Sequence, residues 1–253
     1  MLKKWLKDSN KFALVVFAIV WLSTFIALIN AIVIGDWFKI SMALAALVLF
    51  EAPLVITTKF KITLPVLMEI VYYLFIFGAL TLGEVFAFYG LFRFWDIILH
   101  FLSGFMLACI GLSLVEILGK NKSSKILTLL FAFCFSMTLG IIWECLEFTF
   151  DMTVHTDAQK DAHLHSISTI TMQTDGGNHP VWVDNIVNTE IHLANGETIT
   201  IDDGYLDVGL IDTMKDIFVN TAGASLFCIV GAFYLKDDRK QNSFAKKFIP
   251  TKK

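Results

Sequence analysis

WDIILHFLSGFMLACIGLSLVEIL, residues 95–118, is the stretch on which the fold turns. A helix needs about 20 mostly apolar residues to cross a hydrocarbon core of roughly 30 Å, and this run is long and apolar enough to do so. Its opening turns also carry Asp96 and His100. Five other stretches meet the same criterion, at 12–34, 40–58, 62–82, 126–149 and 214–235. Pro53 and Pro65 fall in the second and third of the six. Proline would break a soluble helix, but it is tolerated in lipid where neighbouring helices satisfy the freed carbonyls. The run at 12–34 follows Lys3, Lys4 and Lys7 much as a signal peptide's apolar region follows its basic one. It is longer than such a region and no small-x-small cleavage site follows, so it is expected to stay as an anchored span.

Composition points the same way. Hydrophobic residues make up 56% of the 253, charged residues only 17%, and mean hydropathy is +0.68. An ordinary soluble domain is roughly half apolar and about a quarter charged. The expected fold class is therefore an all-α polytopic membrane bundle of about six transmembrane helices with a small extracytoplasmic β-rich insertion. Residues 1–150 hold spans one to five, 151–211 form a cap containing a β-hairpin, 212–235 form the sixth span, and 236–253 form a basic cytoplasmic tail. The bilayer is the first partner. No polybasic run or aromatic-basic alternation suggests nucleic acid. Cys109, Cys134, Cys145 and Cys228 all lie in apolar stretches and read as small buried hydrophobes rather than a disulfide framework.

Basic residues set the orientation. With the N-terminus cytoplasmic, all 20 lysines and arginines except Lys39, Arg93, Lys160 and Lys215 fall on the cytoplasmic side. That bias is what the positive-inside rule expects, and it places both termini in the cytoplasm. Residues 151–211 then face outward. Within them Thr189-Glu-Ile-His-Leu-Ala-Asn-Gly-Glu-Thr-Ile-Thr-Ile201 alternates apolar and polar residues on both sides of Asn195-Gly196, which predicts two short antiparallel strands and a tight turn. A lone hairpin is marginal in water, so the cap needs a third strand or the membrane domain to lean on.

Three of the spans carry polar residues at the same, outer end. Asp96 and His100 open the fourth, Glu144, Glu147 and Asp151 close the fifth, and Asp212, Asp216 and Asn220 open the sixth; Glu84 lies near the outer end of the third. Steps of three and four put each set on one helix face, with neighbours about 6 Å apart. A structural reading competes with a functional one. Asp96 and Asp212 suit helix N-termini, and polar side chains commonly bond membrane helices to one another. Capping does not account for His100, Asp216 and Asn220 farther along, and Glu144 and Glu147 at a helix C-terminus oppose its dipole. Gly104, Ala108 and Gly111, like Ala222, Gly223, Ala224 and Ser225, read most simply as close-packing surfaces.

Several of these positions also carry a family resemblance. Asp96-Ile-Ile-Leu-His-Phe101 resembles the Asp-x-x-x-His-Phe element of VanZ-like membrane proteins, and Asp216-Ile-Phe-Val-Asn-Thr-Ala-Gly-Ala224 resembles their Asp-x-x-x-Asn-x-x-Gly-Ala element. Gly83-Glu84, Glu144-Cys-Leu-Glu147 and Asp212-Thr-Met-Lys-Asp216 look like the further elements of the related bacterial YjdF-type family. The likeness covers roughly residues 83–235. The chain lacks the arginine that usually precedes the last VanZ span, and its cap sets the two final motifs farther apart. What the resemblance implies is a multi-span bacterial membrane protein of unassigned biochemical activity, with an association to the cell envelope through VanZ's link to glycopeptide resistance.

Three functions stay open. The cluster binds a lipid headgroup or envelope protein, or it is a metal- or His-assisted enzyme site for a lipid-linked substrate, or it couples protons to transport. Catalytic candidates are His100, Asp96, Glu144, Glu147 and Asp216. No nucleophile motif, phosphate loop or cofactor fingerprint favours an enzyme, and no cofactor is expected beyond a divalent metal, for which His100, Glu147 and Asp216 are the candidates. His155, His163, His165, His179 and His192 in the cap offer a second metal option, without recognised zinc spacing. No inverted repeat supports transport.

Overall fold

A computed structural model describes residues 10–119, 124–236 and 244–252. Of the basic residues behind the orientation, Lys3, Lys4, Lys7, Lys120, Lys122, Arg239, Lys240 and Lys253 lie outside the described residues. The chain divides into two compact units, one formed by residues 1–141 and 216–253, the other by 142–215. Six helices are long and apolar enough to cross a membrane: Lys11–Ile34, Trp37–Thr58, Val66–Val85, Trp95–Leu118, Lys125–Val154 and Leu210–Lys236. They correspond to the six stretches expected from the sequence.

In the first unit, α1 (Lys11–Ile34) starts where the Asn10 side chain accepts a hydrogen bond from the Phe12 amide at 2.8 Å. It ends at Gly35, whose φ of 79° belongs to the left-handed region that closes helices. Its inward face is small, with Ala13, Val20, Thr24, Ala27 and Ala31 buried, while Ile19, Ile26 and Val33 stand exposed. Small residues inside and large apolar ones outside suit a helix surrounded by hydrocarbon. Asp36 caps the next helix, α2 (Trp37–Leu49), by accepting from the Lys39 amide, and that bond holds its carboxyl below its ordinary value.

The second span is not continuous. It passes from α2 into a short α3 (Ala52–Thr58), which carries Pro53 in its first turn. An uninterrupted helix would drive the Pro53 ring into the Leu49 carbonyl, and α2 stops at Leu49. Pro65 acts likewise on the third span, expected from 62. Residues Ile62–Thr63 form a strand, β1, and helix α4 (Val66–Ile76) begins just after the proline. From Phe77 to Val85 the helix widens into π-helical turns. A short α5 (Phe88–Leu91) leads to α6 (Trp95–Leu118).

Helix α7 (Lys125–Val154) contributes its residues up to 141 to this unit, and helix α8 (Leu210–Lys236) contributes its residues from 216. The main core lies where α6, α7 and α8 meet, around Ala108, Leu112, Ala132, Ala224 and Phe227. A second gathers Val20, Ala46, Phe50, Tyr73 and Ile76 from α1, α2 and α4. Beneath the first core the described end of the chain folds back. The segment 244–252 makes a 3-10 turn and then β8 (Thr251–Lys252), which pairs antiparallel with β1. Phe248 stacks edge-on to Phe105 with centroids 5.3 Å apart, its carbonyl accepts from the Cys109 thiol at 3.2 Å, and Ile249 is buried. All four cysteines are unpaired.

The second unit holds the end of α7, the start of α8 and six short strands between them. These are β2 (His163–Leu164), β3 (Ile167–Thr169), β4 (Val181–Val183), β5 (Asn188–His192), β6 (Thr198–Asp202) and β7 (Tyr205–Leu206). They pair antiparallel as β2 with β7, β3 with β4, and β5 with β6. The expected hairpin is β5–β6, with Ile191 opposite Ile199 and Gly196 at φ 88° in the turn. Asp203 and Gly204 amides donate to the Val187 carbonyl and the Ile186 amide donates to His165, so the pairs are stitched together by backbone bonds. Asp207 starts α8 by accepting from the Ile211 amide at 2.7 Å.

Candidate functional site

Three side chains of the first unit converge. Asp96 lies in the first turn of α6, where the positive end of the helix dipole favours a carboxylate. His100 follows one turn later on the same face. Its Nε2 lies 3.5 Å from Asp96 Oδ1 and 3.7 Å from Oδ2 of Asp216, which reaches it from α8. One ligand atom from each of the three lies within 4.8 Å of both others. Side-chain exposure falls from 30% at Asp96 to 12% at His100 and 3% at Asp216, so Asp96 is the most accessible of the three and Asp216 the deepest.

Packing fixes this geometry. A Cβ on Gly223 would lie 2.0 Å from the Phe101 carbonyl oxygen, and one on Gly104 would lie 2.2 Å from the Asn220 carbonyl oxygen. The backbones of α6 and α8 therefore touch within a turn or so of His100 and Asp216. Asn220, fully buried one turn beyond Asp216, ties three helices together. Its Oδ1 faces the Ser103 hydroxyl of α6 at 3.4 Å, and its Nδ2 faces the Met137 sulfur of α7 at 3.7 Å. Gly140 leaves room for it: a Cβ there would sit 2.8 Å from Asn220 Nδ2. The Ser103 hydroxyl also donates to the His100 carbonyl at 2.8 Å, and the Ser136 hydroxyl donates to the Gly104 carbonyl at 2.9 Å.

The π-helical segment sets the start of α6. The Gly78 carbonyl accepts from the Trp95 indole at 3.1 Å, immediately before Asp96. A buried hydroxyl pair, Thr24 with Thr81 at 2.8 Å, holds the same segment to α1. Glu84 lies in its last turn, half-buried, and is not one of the three converging groups.

The remaining sequence-derived candidates belong to the second unit. Glu144 is buried in α7, and Glu147 accepts from the Trp143 indole at 2.8 Å. Asp151 binds the chain that leaves α7, accepting from the Thr156 hydroxyl and from the amides of Ala158 and Gln159 at 2.7 to 2.9 Å. Asp212 accepts from the Lys160 amide at 2.9 Å. Among the described residues, Asp96, His100 and Asp216 are the one group of three metal-type ligands that come together. The cap histidines are engaged separately: His163 with the Asp203 carbonyl, His165 with the Ile186 carbonyl, and His192 with the Thr198 hydroxyl.

Sequence reasoning missed Trp95, Ser103, Ser136, Met137 and Gly140, which position the cluster. A signal existed in Ser136 and Gly140, since small residues spaced by four mark helix contacts in membranes. Residues 12–237 match a family described as a predicted membrane protein, DUF2238. No curated protein and no solved structure matches the chain.

Proposed function

The chain belongs to the DUF2238 family of predicted membrane proteins, and from that premise we propose that it binds the polar headgroup of a lipid or lipid-linked envelope molecule. The binding site is the Asp96–His100–Asp216 cluster, facing away from the cytoplasm in the bacterial inner membrane. The observation that carries this reading is the convergence of two carboxylates on one imidazole nitrogen, at 3.5 and 3.7 Å, at the start of membrane-length helices. Carboxylates cost about 2.5–3.5 kcal/mol each near mid-bilayer on insertion scales, so acids held in such helices mark a binding site by default. Asp96, the most exposed of the three, is the side from which a headgroup reaches the cluster. The distribution of basic residues supports the outward orientation, and the VanZ- and YjdF-like motifs at the same positions associate it with envelope biology.

The test is the lipid that stays with the purified protein. Native mass spectrometry of wild type should show a retained lipid that His100→Ala and Asp216→Asn reduce at least tenfold at equal membrane abundance. An unchanged lipid profile, or disappearance of the protein in place of the lipid, would refute the reading and leave a scaffold role for the cluster.

A further inference from the structure

His100 stands farther from either carboxylate than a short charge-assisted hydrogen bond would bring it, while one donor atom from each of the three residues lies within 4.8 Å of the others. Charge-assisted N–H···O bonds run at about 2.7–2.9 Å, whereas His100 Nε2 stands 3.5 Å from Asp96 and 3.7 Å from Asp216. Around a tetrahedral ion bound at about 2.0–2.1 Å, adjacent ligand atoms lie about 3.3–3.4 Å apart. An octahedral magnesium ion at the same bond length would bring adjacent ligand atoms to about 2.8–3.0 Å. We propose that Asp96, His100 and Asp216 form a three-ligand site for a divalent transition metal, zinc foremost. The proposal rests on the reading of this cluster as a headgroup site, and it supplies the positive charge by which two carboxylates hold a phosphate.

The donor chemistry supports a transition metal: two carboxylates and an imidazole all offer lone pairs to an ion. Imidazole selects zinc-like ions over calcium or magnesium, which prefer oxygen alone. Ligand placement supports it independently. Asp96 and His100 sit four residues apart on one helix face, the spacing by which a single helix offers two ligands to zinc. The third ligand comes from a helix whose backbone is locked to the first by the close approaches at Gly104 and Gly223. The Ser103 hydroxyl bonded to the His100 carbonyl further holds that turn.

Purified full-length protein, stripped with chelator in detergent, is titrated with Zn²⁺ alone and separately with Co²⁺. The expected result is one Zn²⁺ per chain and a Co²⁺ visible spectrum of four- or five-coordinate type. Asp216→Asn, His100→Ala and Asp96→Asn should each weaken Zn²⁺ at least tenfold, since even outer-shell changes cost 10–100-fold. His165→Ala, in the second unit, should leave it unchanged. Asp96 is the most exposed of the three, so its variant remains informative if the buried replacements fail to fold. Absence of stoichiometric Zn²⁺, equal binding by Asp96→Asn, or loss on His165→Ala would overturn the proposal. Lipid retention measured with chelator present separates the two readings. Lipid that stays, depends on His100 and needs no metal overturns the metal site alone; Zn²⁺ bound without lipid selectivity overturns the headgroup reading alone.

Discussion

Gly223→Ala tests whether helix contact sets the cluster. The added methyl would lie 2.0 Å from the Phe101 carbonyl oxygen, with the Phe105 amide nitrogen at 3.0 Å. Ordinary contact begins near 3.4 Å, so α6 and α8 must part by more than 1 Å. The obstructing atoms are backbone, which no rotamer change relieves. Overpacking costs typically run about 1–3 kcal/mol, and the upper end applies here. At about 2–4 °C per kcal/mol for a chain of this size, apparent Tm should fall by about 6–12 °C. The same displacement would carry the His100–Asp216 separation from 3.7 Å toward 5 Å, beyond the roughly 4.2 Å that two donors each about 2.1 Å from one ion can span, so Zn²⁺ binding should weaken at least tenfold. Thermal unfolding in detergent and Zn²⁺ titration provide the two assays, with Gly90→Ala as control because nothing lies within 4 Å of a Cβ there. A Gly223→Ala protein with wild-type Tm and wild-type Zn²⁺ affinity would refute the idea that this contact sets the site.

Three further outcomes follow from particular bonds. Thr24→Val should cost about 1 kcal/mol by stranding the buried Thr81 hydroxyl, and adding Thr81→Val should restore part of it; strictly additive losses in thermal unfolding would show that the two hydroxyls are not coupled. Asp151→Ala removes three acceptor bonds and should speed amide exchange at Ala158 and Gln159 by tenfold or more, which hydrogen-exchange mass spectrometry reads directly. Burial first, and then the carboxylates of Asp157, Asp207 and Asp151, push the Asp161 carboxyl above its ordinary 3.8, so its contribution to stability is full below that value and lost as pH rises through the raised one. Asp161→Asn should therefore reduce exchange around Ala162 at neutral pH and change nothing in acid; equal effects at both would contradict the sign.

The spans were legible because length and apolarity are properties of one segment at a time. The cap hairpin was legible for the same reason: alternation around Asn195-Gly196 is local, and Ile191 does face Ile199. Helix ends were less so. Pro65 forced the start of α4 to Val66 and released Ile62–Thr63 to pair with Thr251–Lys252, a partner nearly the whole chain away. The last residues illustrate the limit. Their lysines make the segment read as a solvated basic tail, yet Phe248, Ile249 and Pro250 between those lysines are apolar enough to bury against α6, and nothing local says where.

The polar stripe on α8 divides between two duties, and depth decides which. Asp216 and Asn220 are four residues apart on one face, nearly equally buried, and indistinguishable by periodicity. Asn220, one turn farther in, meets Ser103, Met137 and the space left by Gly140, where an amide can both donate and accept without carrying charge. Asp216 meets His100, where only an anion answers an imidazolium or a metal. Carboxylate at the span's end and amide one turn deeper is the order that the rising cost of burying charge dictates. Exchange of the two residues should therefore damage both duties at once, with a charge placed among Ser103 and Met137 and a neutral group left beside His100. A doubly exchanged protein that kept its fold and bound Zn²⁺ like wild type would break the link drawn here between depth, charge and role.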